Sequence, residues 1–277
     1  MKTGIFAKTF TGTLPEILQQ VHDHGIDRIQ FNFSITGLPS LPDDVDEEVQ
    51  QAVQTGLSSN NLSVEAVSCT FNMIHPDPAE RRGGLRKLAV IAAQCSWLGT
   101  NLVTLCTGSR NILKGWEAHP DNSSRAAWYD LRESLDIALM HAEDHDLELG
   151  IEPDTANVVS SVDKAVQLLK EVNSPRLKII YDPANLFEHE PVSEITDGIS
   201  YAIDQFGGNI VSVHAKDRDP FGEFVAAGQG ILPYGHFLAQ LKQIGYQGNL
   251  MLQGLEPAGV TAGIAFLQKQ IDKLYPV

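Results

Sequence analysis

The sequence is poor in basic residues and has no long apolar run, and each shortage argues against a class of partner. Its 20 Lys and Arg residues are outnumbered by 35 Asp and Glu residues, which gives a formal charge of −15. Nucleic-acid binding depends on clustered Lys and Arg, so we expect no nucleic-acid partner. A membrane helix needs roughly 20 consecutive apolar residues. No segment approaches that length, so we expect no membrane partner.

Cysteine is also scarce. Cys69, Cys95 and Cys106 are too few and too widely spaced for a disulfide framework, and we interpret them as buried thiols in a reducing compartment. The opening segment MKTGIFAKTF has no long apolar core and no small-residue cleavage site, which favours a first strand over a signal peptide. We therefore expect a cytoplasmic protein.

Short β-rich runs alternate with longer helical segments along the chain, a pattern typical of βα units around a parallel sheet. Eight strands are predicted, at Gly4–Phe10, Arg28–Phe33, Ser63–Thr70, Leu102–Cys106, Leu147–Ile151, Leu177–Tyr181, Ile210–Val213 and Leu250–Leu252. Eight parallel strands close a barrel, so we predict an α/β fold, a (β/α)8 TIM barrel, as a single domain over residues 1–277.

Apolar periodicity and capping residues predict the helices between these strands. The first begins near Pro15 and ends at Gly25, and others are predicted over Asp44–Ser58, Glu80–Trp97, Ser124–His145, Ser161–Val172 and Tyr234–Ile244. An open, doubly wound sheet is the alternative architecture. No Gly-x-Gly-x-x-Gly turn follows the first strand, however, which favours the barrel.

Polar residues stand at the ends of the last four predicted strands, about one βα unit apart. They are Glu152, Asp182, His214 and Gln253, with Glu256 close behind. Reactive side chains of a parallel barrel lie at the carboxyl ends of its strands, so these residues could converge. Carboxylate, imidazole and amide ligands suit Mn, Mg, Co or Zn. Taken singly, such a residue is more often a hydrogen-bonded residue at the rim, and it is the four together at matching positions that favour a metal site.

Six motifs carry a resemblance to a known family: FNMIHPD (71–77), GIEP (150–153), YDPANLF (181–187), SVHAKD (212–217), AGQG (227–230) and GYQGNL (245–250). The chain resembles the xylose isomerase-like barrels, which include sugar phosphate isomerases and epimerases, inosose dehydratases and apurinic endonucleases. The resemblance implies one divalent ion, with manganese favoured, bound by Glu152, Asp182, His214 and the residue at position 253. It also implies that Glu152 exchanges a proton with the substrate.

Gln253 departs from the family pattern, which has a glutamate at this position. A glutamine carbonyl can ligate a metal but cannot act as a base at neutral pH. Three interpretations follow. Glu256 replaces the missing carboxylate as a second catalytic residue, or Gln253 is a neutral ligand in an enzyme with one base, or the barrel is degenerate or regulatory. A one-base isomerase or a dehydratase is chemically easier to accept than a two-base epimerase.

Four residues are predicted to bind the substrate near the metal. The resemblance suggests that His75 hydrogen-bonds a substrate hydroxyl, and Asn72 is a candidate of the same kind. The alternative for His75 is to cap the following helix. Asn185 could hydrogen-bond the substrate or cap the next segment. Lys216 could hold an enolate, carboxylate or phosphate, or could simply be solvated at a strand end.

The loop after the fourth strand is long, and long loops at this face of a barrel usually shape specificity. In it, Trp116 could cover the substrate and Arg110 could meet an anionic group. We therefore predict a metal-dependent isomerase or epimerase of a small sugar or sugar-like polyol or ketose.

Three other functions remain open. They are a dehydratase of a cyclic polyol, a non-catalytic sugar-binding barrel and an apurinic-type nuclease. The acidic charge disfavours the nuclease, and only His75 matches the additional metal ligands of nucleases. Many relatives form dimers or tetramers, so we expect a homodimer or homotetramer.

Overall fold

Eight parallel strands form a closed barrel in the computed structural model, which describes residues 1–274. The barrel strands are β1 (Thr3–Phe6), β2 (Arg28–Phe31), β3 (Ser63–Ser68), β4 (Leu102–Cys106), β5 (Glu148–Glu152), β6 (Leu177–Tyr181), β7 (Ile210–Arg218) and β9 (Leu250–Leu252). Each pairs in parallel with its neighbours, and the pairings of β6 with β7 and of β9 with β1 close the ring. The predicted fold class is confirmed. The last three residues of the predicted domain, 275–277, lie outside the described residues.

Helices cover the outside of the barrel. They are α1 (Leu14–Asp23), α2 (Glu47–Ser59), α3 (Pro78–Leu98), α4 (Arg125–Asp144), α5 (Val162–Val172), α6 (Val192–Phe206), α7 (Tyr234–Gln243) and α8 (Val260–Leu274). The side chains of Asp46, Ser124 and Ser161 accept hydrogen bonds from backbone N–H groups of the first turns of α2, α4 and α5. These caps fix where the helices begin, within three residues of the predicted starts. No helix in residues 1–274 is long and apolar enough to cross a bilayer.

Three strands end earlier than predicted: β3 ends at Ser68 instead of Thr70, and β1 and β2 end where the chain turns into short 3₁₀ segments. After β1, residues Ala7–Thr9 form one such turn. After β2, the Asn32 side chain accepts a hydrogen bond from Ser34 N at 3.0 Å and starts a second turn, Phe33–Thr36. Both turns lie at the carboxyl ends of their strands, where they place polar side chains around the barrel mouth.

The seventh strand is longer than predicted and carries an additional strand. Residues Ile210–Arg218 remain extended, and β8 (Phe224–Ala226) pairs antiparallel with the end of β7. The predicted strand Ile210–Val213 was therefore too short. The cause is tertiary: Lys216, Asp217 and Arg218 are polar, yet they are buried because the hairpin and the loop after β6 cover them.

The alternation of side chains along each strand decides which residues face the barrel interior. In β5, Leu149 and Ile151 point outward, whereas Gly150 and Glu152 point inward. A Cβ atom at Gly150 would lie 2.4 Å from Ile180 Cδ1, so the absent side chain makes room for Ile180 inside the barrel. Ile180 forms a small buried cluster with Ala66 and Leu102. Glu152, one interior position further along β5, therefore lies above an apolar layer.

Candidate active site

Glu152 ends β5, Asp182 directly follows β6 and His214 lies in the middle of β7, and the three side chains converge. All three are buried, and one ligand atom from each lies within 4.8 Å of the other two. The three strands are consecutive neighbours in the barrel, and each residue occupies an interior position near the same level. The structure thus brings together the three strongest ligand candidates of the sequence.

Hydrogen bonds orient the Glu152 carboxylate and the His214 ring. His214 Nδ1 lies 2.9 Å from Glu152 Oε1, and the Asn185 amide donates to the same oxygen at 2.7 Å. On the other side of the ring, His214 Nε2 lies 2.9 Å from Gln30 Oε1. Gln30 in turn donates to Thr104 Oγ1 at 3.3 Å. This chain of contacts crosses the barrel from β5 to β2.

Lys216 places a buried ammonium group beside the ligands. Its Nζ donates to Asn185 Oδ1 at 2.6 Å and lies 3.2 Å from Asp182 Oδ2. The same ammonium lies 3.9 Å from the centre of the Phe224 ring, which β8 brings over the site. A buried lysine requires such partners, because an unpaired charge away from water is costly.

The carboxylates of the site have different pKa shifts. Burial alone would raise the pKa of Glu152, but the neighbouring His214 and Lys216 outweigh it and lower this pKa below its ordinary value. Burial raises the pKa of Asp182, and Lys216 offsets only part of that effect. Burial also raises the pKa of Asp154, which follows β5. Glu152 is therefore the carboxylate that is most readily ionised here.

A buried oxygen atom tests whether the site fits a metal ion. Asp182 Oδ1 accepts a hydrogen bond from Ala184 N at 3.0 Å and Asp182 Oδ2 is paired with Lys216 Nζ at 3.2 Å, whereas Gln253 Oε1 accepts no hydrogen bond from any residue in 1–274. Buried acceptors without a donor are uncommon in folded proteins. A hard divalent cation would satisfy this oxygen, and the carboxylate, imidazole and amide set suits such an ion. The residues present therefore fit a divalent metal.

A cavity of about 400 Å³ lies at the barrel mouth, a volume in the range of small-molecule sites. Five predicted site residues line it: Trp116, Glu152, Asn185, Lys216 and Gln253. Gln253 is fixed beside β7, since its backbone N–H donates to Ala215 O at 3.3 Å. The cavity therefore joins the ligand cluster to polar and aromatic side chains that could contact a substrate.

Six predicted site residues are not among those of 1–274 that line this cavity. Asp182 and His214 are two of them, although both belong to the ligand cluster. Asn72 donates to Ser109 O at 2.6 Å and accepts from Ile74 N at 3.2 Å. His75 Nδ1 accepts from Asp77 N at 3.1 Å, just before α3. Both side chains thus hold the loops that follow β3 and β4.

Arg110 and Glu256 are the remaining two. The Arg110 guanidinium donates to Ile74 O and to Asp130 Oδ2, both at 2.6 Å, and so ties its loop to α4. Glu256 is exposed at the start of a short turn, Pro257–Gly259, and its side chain makes no cap hydrogen bond there. A role for Glu256 in proton transfer would require this loop to turn the carboxylate inward.

Several cavity residues were not selected from the sequence. They are Lys8, Gln30, Asn32, Ser40, Thr104 and Asp154. One signal was available: Gln30 is a polar residue in the otherwise apolar end of β2, RIQF, at an inward position. Lys8 and Ser40 gave no such signal, because isolated polar residues in turns are common. Only barrel closure shows that they share a cavity with Glu152.

Comparisons with known proteins agree with this geometry. The family described as xylose isomerase-like TIM barrel matches residues 18–270. No curated protein sequence matches the chain significantly. The structure of a 3-keto-D-glucoside 4-epimerase from E. coli is similar, with a TM-score of 0.77, 16% identity, and coverage of 97% of this chain and 99% of that one.

Two further solved structures have the same fold. A probable 3-DHS dehydratase from Bacillus anthracis has a TM-score of 0.73 and 14% identity, covering 97% of this chain and 99% of its own. The IOLI protein, solved with a zinc atom, has a TM-score of 0.72 and 16% identity, with coverage of 99% and 98%. At these identities the likeness concerns the fold. The neighbours include an epimerase and a dehydratase on one scaffold.

Proposed function

Because this chain belongs to the xylose isomerase-like TIM barrel family, we propose that it is a divalent-metal-dependent isomerase or epimerase of a small sugar or sugar-like polyol or ketose. The observation that carries the proposal is the convergence of Glu152, Asp182 and His214, of which Glu152 lines a cavity of small-molecule size. A bound ion, with manganese favoured over Mg, Co or Zn, would supply Lewis acidity that polarises a substrate carbonyl.

Glu152 is the base in this proposal. Its Oε1 is engaged by His214 and Asn185, whereas Oε2 accepts no hydrogen bond within the described chain. The residue lines the cavity, so Oε2 is the oxygen available to take a proton from the substrate. The lowered pKa keeps the carboxylate ionised, as a base must be before the reaction. Asn185 and His214 fix its orientation, which limits the reorganisation needed during proton transfer.

The neutral amide of Gln253 favours chemistry with one base. One carboxylate can move a proton between neighbouring carbons on a single face of the substrate, as an aldose-ketose isomerisation requires. Epimerisation that removes a proton from one face of the substrate and returns a proton to the other face needs a second proton carrier. In the described chain, Asp154 is the only other carboxylate that lines the cavity, and Glu256 lies outside it. We therefore place isomerisation ahead of epimerisation.

A dehydratase of a cyclic polyol is the second candidate. It would use the same base to remove a proton and would expel water from the adjacent carbon. Gln253 supports it, because the elimination does not require the carboxylate that this chain lacks at the end of β9. A probable 3-DHS dehydratase has a similar fold, so the scaffold is compatible with a dehydration reaction.

Proton exchange in deuterated water tests the proposal. Protein supplied with manganese is incubated with a panel of aldo- and keto-sugars, and NMR follows deuterium at the carbon next to the carbonyl. We expect exchange with at least one sugar and none with His214→Ala. Absorbance of an unsaturated product without exchange into recovered substrate would favour the dehydratase. Binding with neither exchange nor elimination would overturn the enzyme and leave a sugar-binding barrel.

A further inference from the structure

Lys8 lines the cavity on the side opposite the carboxylates. Lys8 lies in the 3₁₀ turn that follows β1, and β1 is diametrically opposite β5 in the order of the eight barrel strands. Its ammonium group makes no ion pair or hydrogen bond with any residue in 1–274, although it lines the same cavity as Glu152. Lys216, the other lysine that lines the cavity, is already paired with Asn185 and Asp182.

Two further donors line the same cavity as Lys8. Asn32 follows β2, the strand next to β1, and is 4% exposed. Its Oδ1 accepts from Ser34 N, which leaves Nδ2 as a donor without an acceptor among the described residues. Ser40 lines the cavity from the loop after the same strand, and its hydroxyl is likewise unused within 1–274. Lys8, Asn32 and Ser40 are called the donor wall below.

The carboxylates that line the cavity are confined to the other side. Glu152 and Asp154 both come from the end of β5. Gln253, at the end of β9 beside β1, is neutral. The cavity therefore has an acidic, metal-binding side and a side with a free positive charge and unused N–H and O–H groups.

We propose that the donor wall binds an anionic group of the substrate, a carboxylate or a phosphate, at the end remote from Glu152. The inference rests on the proposed function for the placement of the reacting end of the substrate. An ammonium group with amide and hydroxyl donors forms strong, charge-assisted hydrogen bonds to such oxygens. The substrate class is then a sugar acid or a sugar phosphate, and Lys8 determines the specificity.

Matched probes test this by isothermal titration calorimetry on the manganese-loaded protein. The probes are D-fructose, D-fructuronate, D-fructose 6-phosphate and inorganic phosphate. We expect at least one sugar anion to bind more tightly than D-fructose. Lys8→Met should weaken that anion about tenfold or more. The control is Lys269→Met, which removes an exposed lysine on α8 and should change nothing.

The outcomes separate this inference from the proposed function. Equal affinity for D-fructose and both sugar anions, no anion binding at all, or equal behaviour of Lys8→Met and Lys269→Met would overturn the donor wall. Tight anion binding that depends on Lys8, without deuterium exchange in any sugar, would support the donor wall and contradict the proposed isomerase. Deuterium exchange that is fastest with a neutral sugar, and whose rate is unchanged in Lys8→Met, would support the isomerase and contradict the donor wall. The tighter of the two sugar anions identifies the group as carboxylate or phosphate.

Discussion

Glu152 and His214 are 62 residues apart in the sequence, yet the His214 Nδ1 and Glu152 Oε1 atoms lie only 2.9 Å apart. The opposite ring nitrogen lies 2.9 Å from Gln30 Oε1, so both nitrogens face oxygen atoms. These contacts fix the plane of the imidazole before any ligand binds. A metal ion at this site would meet donors that are already oriented, which limits the ordering that binding must supply.

Removal of a ligand should remove the metal. Protein purified after growth with manganese is expected to carry about one equivalent of divalent metal, and Asp182→Ala or His214→Ala should reduce this to a small fraction, because a site that has lost a charged or imidazole ligand holds an ion weakly. Elemental analysis gives the content. Glu256→Gln is the control and should keep the metal, since Glu256 is exposed outside the cavity. Parent protein without metal would contradict the proposed centre.

The base can be separated from the metal ligand at position 152. In Glu152→Gln the amide carbonyl can still ligate, but it cannot take a proton. We expect deuterium exchange to fall by about 100-fold or more, with metal content close to the parent. NMR and elemental analysis measure the two quantities on the same sample. Exchange within tenfold of the parent rate would show that another group is the base.

The turnover rate of Glu256→Gln tests whether Glu256 is a second catalytic carboxylate. The side chain is exposed and lies outside the cavity in the described structure, so turnover should be unchanged within about twofold. Asp154→Asn is the comparison, because Asp154 lines the cavity. A large loss in Glu256→Gln alone would mean that the 253–257 loop closes during the reaction.

Restoring a carboxylate at Gln253 should strengthen metal binding. Gln253→Glu adds a negative charge at a buried acceptor that has no donor within 1–274, so manganese affinity should rise roughly tenfold or more. With the metal chelated, the added charge faces Glu152 and Asp182 and should lower the melting temperature. Calorimetry and thermal melts with and without EDTA check both effects. Unchanged affinity would place Gln253 away from the ion.

Glu65, at the end of the barrel opposite the candidate site, lowers the stability of the folded protein by an amount that depends on pH. Burial raises its pKa above the ordinary 4.5, although a hydrogen bond from Asn249 offsets part of the shift. A raised pKa means that the folded state holds the proton more tightly than the unfolded state. The stabilisation of the folded state by this tighter proton binding is therefore complete below the ordinary pKa, and it is lost as the pH rises through the raised pKa.

Glu65→Gln should consequently raise the melting temperature at pH 7 by about 2 °C, and the gain should shrink toward acidic pH. Differential scanning calorimetry across this range measures it. Glu143→Gln, which changes an exposed carboxylate on α4, serves as the control and should give no pH-dependent difference. A gain that grows as the pH falls would reverse the sign of the argument.

The sequence predicted the fold and the ligand cluster for the same reason. Strand and helix patterns repeat locally, and three predicted strands, β4, β6 and β9, have their observed bounds. Glu152, Asp182 and His214 could be selected because each stands at the carboxyl end of such a strand. The additional strand β8 escaped notice because its three residues pair only with the buried end of β7.

Local pattern therefore determined the eight strands, the alternation along them and the three candidate ligands. It could not decide between functional and structural roles for polar residues in loops: Arg110 and His75 contact loop backbone, whereas Lys8 faces the cavity. Those roles depend on contacts between segments far apart in the chain, such as His214 with Gln30. Such contacts exist only once the barrel has closed, because closure is what brings the middle of β7 within reach of β2.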